Sequence, residues 1–138
     1  MNMQEKIAEM NKHRPPFLDL VNGVLKDFDQ EQMTGVLEFE VGLEMCHSGN
    51  VIQGGFITLM LDTSMAHSAM ALREDVINVA TLEIKVSFLE PSNAGRFRCN
   101  AKMRKMGRST AFMEAELYSE EGLLTAIATS TAKLIRAR

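Results

Sequence analysis

The chain has 138 residues, of which 46% are hydrophobic and 24% are charged, and its formal net charge is −3. This length predicts one domain spanning residues 1–138, and the composition excludes a disordered chain. The negative charge excludes the broad basic surface of a general nucleic-acid binder. The two cysteines, Cys46 and Cys99, form neither a disulfide framework nor a Cys-x-x-Cys metal motif, which predicts reduced thiols in a cytoplasmic protein.

Residues 1–16 are predicted to form an N-terminal helix and turn. A surface helix over Asn2–Lys12 is ended by Pro15-Pro16, because proline cannot continue a helix. This segment lacks the apolar core of a signal peptide. Two strands are predicted next, near Leu18–Phe28 and Gly35–Val41, and the second alternates apolar with acidic residues.

Residues Gly54–Leu72 form the most apolar helix that the chain can make. Apolar side chains surround the helix, so burial is predicted, and Asp62 is its only formally charged residue. A lone carboxylate in a buried helix is costly unless something uses or satisfies it. Asp62, His67 and four hydroxyl side chains argue against a membrane span. The Gly54-Gly55 start leaves backbone N–H groups free to hold an oxyanion, so the helix carries two parts of an acyl-transfer centre.

The second half of the chain alternates apolar and polar residues with a period of two, which predicts four strands. The apolar positions are Leu82, Ile84, Val86, Phe88, Phe97, Cys99, Ala101, Met103, Ala111, Met113, Ala115, Leu117, Leu124, Ala126, Ala128 and Ala132. Short turns separate these strands, so they should pair antiparallel, and their apolar face must be covered. We therefore predict an α+β hotdog fold, in which a curved antiparallel sheet wraps around one long central helix. The exposed sheet edges and the wholly apolar helix also predict a dimer.

From Val36 to Arg136 the chain resembles the phenylacetate-degradation-type acyl-CoA thioesterases of the hotdog superfamily. Members typically carry a loop ending in His-Gly-Gly, an acid about nine positions after that His, a Phe-x-x-Pro turn and a Lys-Gly-Arg-like turn. The corresponding residues here are Gln53-Gly54-Gly55, Asp62, Phe88-Leu89-Glu90-Pro91 and Arg104-Lys105-Met106-Gly107-Arg108. The chain departs from the pattern at Gln53, where His is usual, and at His47, six positions earlier, where Asn is frequent.

The resemblance implies a catalytic role for five residues. Asp62 is implied to be the nucleophile or the general base on water, since both roles need a carboxylate aimed at the thioester carbon. The Gly55 N–H is implied to hold the oxyanion, with the glycine and the acid at one site coming from different subunits. Gln53 and His47 are implied to line the thioester carbonyl, and Thr81 to help position water.

The resemblance also implies a substrate, its contacts and an assembly. The activity is hydrolysis of an aryl or medium-chain acyl-CoA to the free acid and CoA, without a metal or a separate cofactor. The assembly is a homotetramer made of two dimers, each with its sites at the subunit interface. Arginine and lysine suit the CoA phosphates. The implied substrate-binding residues are Asn50, Gly54, Thr63, Arg104, Lys105 and Arg108.

Structural interpretations remain open for these residues. Asp62 could be an acid tied to hydroxyl groups, Gln53 only a helix cap, and His47 a surface residue. The two glycines could serve close packing, and the basic turn could be a solvated hairpin. The alternative function is a hotdog protein that binds acyl-CoA without hydrolysing it, as a sensor or carrier. A hydratase or dehydratase matches the Gln-Gly-Gly loop poorly, and the absence of Gly-x-Ser-x-Gly argues against a serine hydrolase.

Overall fold

The structure is a computed structural model that describes residues Met1–Arg138. In chain order its elements are α1 (Met3–Lys12), β1 (Val24–Asp29), β2 (Thr34–Val41), β3 (Cys46–Ser48), β4 (Val51–Ile52), α2 (Gly54–Leu72), β5 (Val76–Phe88), β6 (Gly95–Met106), β7 (Thr110–Ser119) and β8 (Leu124–Arg136). Six strands form one antiparallel sheet in the order β1-β2-β6-β7-β8-β5, and β3 pairs with β4 in a separate ribbon. Since α2 contacts all six strands of this sheet, the predicted hotdog fold is confirmed.

The N-terminal helix forms as predicted, but the strand after it begins later than predicted. Asn2 caps α1 by accepting a 2.8 Å hydrogen bond from the Glu5 N–H. Residues Pro16–Leu20 form a short 3-10 helix instead of a strand. Proline fixes a φ that suits the start of a turn, and Asn22 has a positive φ of 49°, so the extended chain starts only at Val24.

The core lies between α2 and the inner face of the sheet. The apolar positions predicted on β6 and β7, and the alanines of β8, are buried there as expected. Six of the inward residues are alanines, namely Ala101, Ala111, Ala115, Ala126, Ala128 and Ala132. Because these side chains are small, α2 can lie close to the centre of the sheet.

Gly35 on β2 lies in close contact with Ser68 of α2. A Cβ at this position would lie 2.1 Å from the Ser68 Oγ and 2.6 Å from the Ser68 Cβ. We expect Gly35→Ala to lower the free energy of unfolding by about 1–3 kcal/mol, because the helix must shift. Denaturant unfolding of Gly35→Ala, Ser68→Gly and the double variant tests this contact. The destabilisation by Gly35→Ala should shrink when Ser68 is glycine, and equal losses in both backgrounds would contradict it.

One face of α2 is not covered within the protomer, and its burial depends on the predicted dimer. Leu59, Asp62, Ala66 and Met70 are half-exposed along one side of the helix, and Gly55 at its start is exposed. These positions recur every three or four residues and therefore form a single stripe. No helix in the structure combines the length and apolarity that crossing a membrane requires.

The apolar side chains of β5 are also less buried than predicted. β5 ends the sheet, so only one of its edges is paired, with β8. A bulge between Thr81 and Glu83 interrupts that pairing. Ile77, Leu82 and Phe88 are 60%, 63% and 55% exposed. This long edge strand and the α2 stripe leave a large apolar surface without a cover in one protomer.

Candidate active site

Asp62 and Thr81 meet at the middle of the α2 stripe. The Thr81 hydroxyl donates a 2.7 Å hydrogen bond to the Asp62 Oδ1. Thr81 lies on β5 just before the bulge, where the strand runs beside α2. Within the protomer Asp62 is half-buried, and its carboxylate already has a hydroxyl donor. Its Oδ2 has no hydrogen-bond partner in the protomer and is available for a water or a substrate.

The start of α2 is capped by the chain itself. Gln53 is the N-cap residue, and its Oε1 accepts the Gly55 N–H at 2.7 Å. Gly55 is exposed, so solvent or a ligand can reach this end of the helix. The structure thus places Gln53 and Gly55 together, but the N–H predicted to be free is occupied by the Gln53 side chain.

A groove of about 380 Å³ opens beside the start of α2. His47, Gly54, Phe88 and Pro91 contribute to its lining. His47 is exposed, and its Nδ1 lies 2.8 Å from the Ser48 Oγ. The β3–β4 ribbon thus brings His47 to the groove beside the start of α2. Sequence analysis assigned Phe88 to the core, and the Phe-x-x-Pro motif was the signal that could have placed it here.

Asn50 and Thr63 have different positions relative to this groove. Asn50 is exposed at the tip of the β3–β4 ribbon, where its carbonyl accepts the Ala94 N–H at 2.7 Å. Its side chain makes no hydrogen bond within the protomer and is free to contact a ligand. Thr63 is only 7% exposed and is turned into the protein. The structure therefore does not bring Thr63 to the exposed stripe that carries Asp62.

The predicted basic turn lies at the opposite end of α2 from Gly55. Arg136 donates to the carbonyls of Gly107 and Arg108 at 2.9 and 2.5 Å, and it also pairs with Asp75, three residues after the end of α2. Arg136 thereby fixes the turn, a role that sequence analysis missed. It could have been noticed only as an isolated cation next to a predicted strand.

The cationic side chains of this turn are exposed and only partly neutralised. The Arg104 Nη1 lies 3.6 Å from the Glu114 Oε1, whereas Lys105 and Arg108 form no ion pair within the protomer. The positive charge is therefore available at the surface, although salt screens it.

Burial keeps two other titratable groups near α2 uncharged. Burial lowers the pKa of His67, although a hydrogen bond from its Nδ1 to the Thr63 carbonyl opposes the shift. Burial also raises the pKa of the Cys99 thiol to about 12. Asp62 is therefore the one ionisable side chain on the exposed stripe that is suited to attack a thioester or to activate water.

Comparisons with known proteins show the family to which the chain belongs. The model of the thioesterase superfamily matches residues 49–126, more than half of the chain. The chain is 28% identical to a Saccharolobus solfataricus protein named as an esterase, over 88% of this chain and 83% of that protein. It is 23% identical to the medium/long-chain acyl-CoA thioesterase YigI of Escherichia coli K12, over 91% and 89% of the two chains.

A solved structure has the same fold. The phenylacetic acid degradation-related protein from Ralstonia eutropha JMP134 superimposes with a TM-score of 0.85 and 28% identity, over 94% of this chain and 99% of that chain. The region matched by the family model contains the start of α2, Asp62 and Thr81. The matched region therefore includes Gln53, Gly55, Asp62 and Thr81, whereas His47 precedes it.

Proposed function

The chain belongs to the thioesterase superfamily and is a thioester hydrolase, and we propose that it hydrolyses an acyl-CoA with Asp62 as the acting carboxylate. The observation that carries this proposal is the Asp62–Thr81 pair, which presents a half-exposed carboxylate on an otherwise apolar surface. Leu59, Ala66 and Met70 lie along the same stripe and suit an apolar acyl group. A medium-chain or aryl acyl-CoA fits these surroundings.

The reaction needs a nucleophile that attacks the thioester carbon and a hydrogen-bond donor for the carbonyl oxygen. Asp62 either removes a proton from water, which then attacks, or attacks directly to form an anhydride that water hydrolyses. In both routes the C–S bond breaks, the CoA thiolate leaves and takes up a proton, and the acid is released. The Gly55 N–H stabilises the negative oxygen that forms on the carbonyl. His47 and Gly54 line a groove beside this helix start, and we expect the thioester to approach through it.

One copy of α2 cannot supply both groups to one thioester. Gly55 and Asp62 are seven residues apart, which corresponds to about 10 Å along the helix axis. The N–H groups of the first turn point out of the N-terminal end of the helix. An oxygen bound to the Gly55 N–H therefore lies about 3 Å further from Asp62 than the Gly55 nitrogen does. The carbonyl carbon is about 1.2 Å from that oxygen and must also lie about 3 Å from the attacking atom. We infer that Gly55 of one copy and Asp62 of another act on the same substrate.

The uncovered surfaces of the protomer support such a dimer. The free edge of β5 can pair with a second β5, and the α2 stripes of two copies can then face each other across a two-fold axis. Antiparallel α2 helices would bring each Gly55 towards the other copy's Asp62. The family resemblance extends this expectation to a tetramer made of two dimers.

A turnover screen tests the proposed function. The protein is incubated with acetyl-, octanoyl-, palmitoyl- and phenylacetyl-CoA, and released CoA is followed with a thiol-reactive chromophore. We expect hydrolysis to be fastest with the octanoyl or phenylacetyl ester. Tight binding of these esters without thiol release would instead identify a protein that binds acyl-CoA without hydrolysing it.

The basic turn is proposed to bind the CoA phosphates. We expect the Arg104→Ala/Arg108→Ala double variant to raise KM for acyl-CoA several-fold with little change in kcat, because the charges act far from the thioester. The effect should shrink in high salt and vanish for an acyl-pantetheine, which lacks the nucleotide. Lys12→Ala/Lys26→Ala removes equal charge at the distant N-terminal edge and should leave KM unchanged. An unchanged KM in the arginine double variant would place the phosphates elsewhere.

A further inference from the structure

A second pocket, of about 450 Å³, lies where the C-terminal end of α2 meets α1 and the start of β5. Its floor is apolar, since Met10 of α1, Met70 of α2 and the buried Val76 of β5 all line it. The other lining residues are Met1, Lys6, Glu9 and Glu74. Both glutamates are exposed, so their charges lie at the rim, where water solvates them. None of the residues proposed above for catalysis or CoA binding lines this pocket.

The α2 stripe connects this pocket with Asp62. Met70 belongs to the stripe and also lines the pocket, and Ala66 lies between Met70 and Asp62. The Ala66 side chain is small, so an apolar chain can lie close to the helix at this point. In the opposite direction the stripe leads past Leu59 to Gly55, which serves the second site of the proposed dimer. An acyl group bound at Asp62 therefore extends along this helix towards the pocket.

The distance between Asp62 and the pocket selects an acyl length. Met70 follows Asp62 by eight residues, which corresponds to about 12 Å along the helix axis. An extended alkyl chain advances about 1.3 Å per carbon, so about nine carbons beyond the carbonyl carbon reach the level of Met70. A decanoyl group has this length. Butyryl and phenylacetyl groups span about 4 Å and about 6 Å and therefore end near Ala66, outside the pocket.

We propose that this pocket binds the distal end of a medium-chain acyl group and that Met10 limits the length of the chain. The inference rests on the proposed function and deepens it, because it names the acyl class. Methionine suits this role, since its flexible thioether side chain adapts to chains that differ by one or two carbons. The value of kcat/KM should rise from butyryl-CoA to decanoyl-CoA. It should fall for palmitoyl-CoA, because the last carbons of that chain meet the charged rim.

Met10→Trp tests the inference by filling part of the pocket with a larger side chain. Each methylene that no longer fits should lower kcat/KM about fourfold, so the loss of space for two should lower it about tenfold for decanoyl-CoA. Butyryl-CoA and phenylacetyl-CoA do not reach the pocket, and their kcat/KM should change less than about twofold by the same reasoning. Met10→Ala enlarges the pocket and should shift the preference from decanoyl-CoA towards dodecanoyl-CoA.

Ala8→Trp is the matched control, because it adds the same ring to an exposed position of α1 outside the pocket. This variant should keep the chain-length profile of the wild type. Equal losses for butyryl-CoA and decanoyl-CoA in Met10→Trp would overturn the inference, and so would an unchanged profile. If Met10→Trp does not fold, as judged by a thermal melt, Met10→Ala decides, and an unchanged preference in that variant would overturn the inference as well.

Alkyl-CoA thioethers separate this inference from the proposed function, because they cannot be hydrolysed and report binding alone. Their affinity for the wild type, measured by titration calorimetry, should increase from the butyl to the decyl thioether. In Met10→Trp the increase should stop at a shorter chain. If the wild type hydrolyses no acyl-CoA, the proposed function fails, and this comparison still tests the pocket. Equal affinities across the series, or the same profile in both proteins, would overturn the inference.

Discussion

Asp62→Asn is expected to lower kcat about a hundredfold or more, because the amide can neither attack the thioester nor accept a proton from water. The side chain keeps its shape, and the Asn oxygen can still accept the Thr81 hydrogen bond that Asp62 accepts at 2.7 Å. The variant should therefore fold with unchanged or higher thermal stability. Steady-state kinetics on acyl-CoA and a thermal melt of the same sample measure both quantities.

Thr81→Val is the companion variant for Asp62. It keeps the branched shape but removes the hydroxyl that holds the Asp62 Oδ1, so we expect a smaller, several-fold loss of kcat. Near-normal turnover in Asp62→Asn would show that the Asp62–Thr81 pair is structural. The reaction would then require another carboxylate, and the mechanism derived above would be wrong.

Gly55→Pro is expected to lower kcat by about 100- to 1,000-fold, because it removes the N–H that stabilises the oxyanion. Proline is tolerated in the first turn of a helix, where N–H groups have no partner within the helix. The added ring would meet the end of the flexible Gln53 side chain, which can rotate aside. The melting temperature should therefore change little, whereas kcat falls strongly.

Gly55→Ala tests the importance of the space around Gly55 separately from that of its N–H. This variant keeps the N–H donor but adds a Cβ that crowds the approaching carbonyl. We therefore expect kcat to fall by a larger factor than the affinity for substrate. The loss of kcat should be smaller than in Gly55→Pro. Parallel losses of stability and activity in both variants would instead indicate that Gly55 serves packing alone. Circular dichroism of each variant confirms that α2 still forms.

The sequence predicted the central helix and the inner face of the sheet because both follow from simple periodicities. The helix was predicted over Gly54–Leu72 and α2 has these bounds, since a Gly-Gly start and the change of period to two delimit it. The burial of β5 within one protomer was predicted less well. An apolar residue on an edge strand, such as Leu82, has the same pattern whether its own protomer or a second copy covers it.

The candidate site was predicted in its composition but not in its contacts. The pairing of Asp62 with Thr81 joins residues 19 positions apart and depends on the register of β5 beside α2, which no local pattern encodes. Whether Gln53 faces the substrate or its own helix depends on a side-chain rotamer. Spacing identified the residue, but the 2.7 Å bond to the Gly55 N–H required the structure.

The most direct test of a site built from two copies is complementation between two inactive variants. Asp62→Asn and Gly55→Pro proteins are mixed in equal amounts, unfolded and refolded together, and assayed on acyl-CoA. Random pairing makes half of the dimers mixed, and each mixed dimer contains one intact site, so about a quarter of the wild-type activity should return. Mixed dimers that form, as verified by mass spectrometry, but remain inactive would show that Gly55 and Asp62 do not act across the interface.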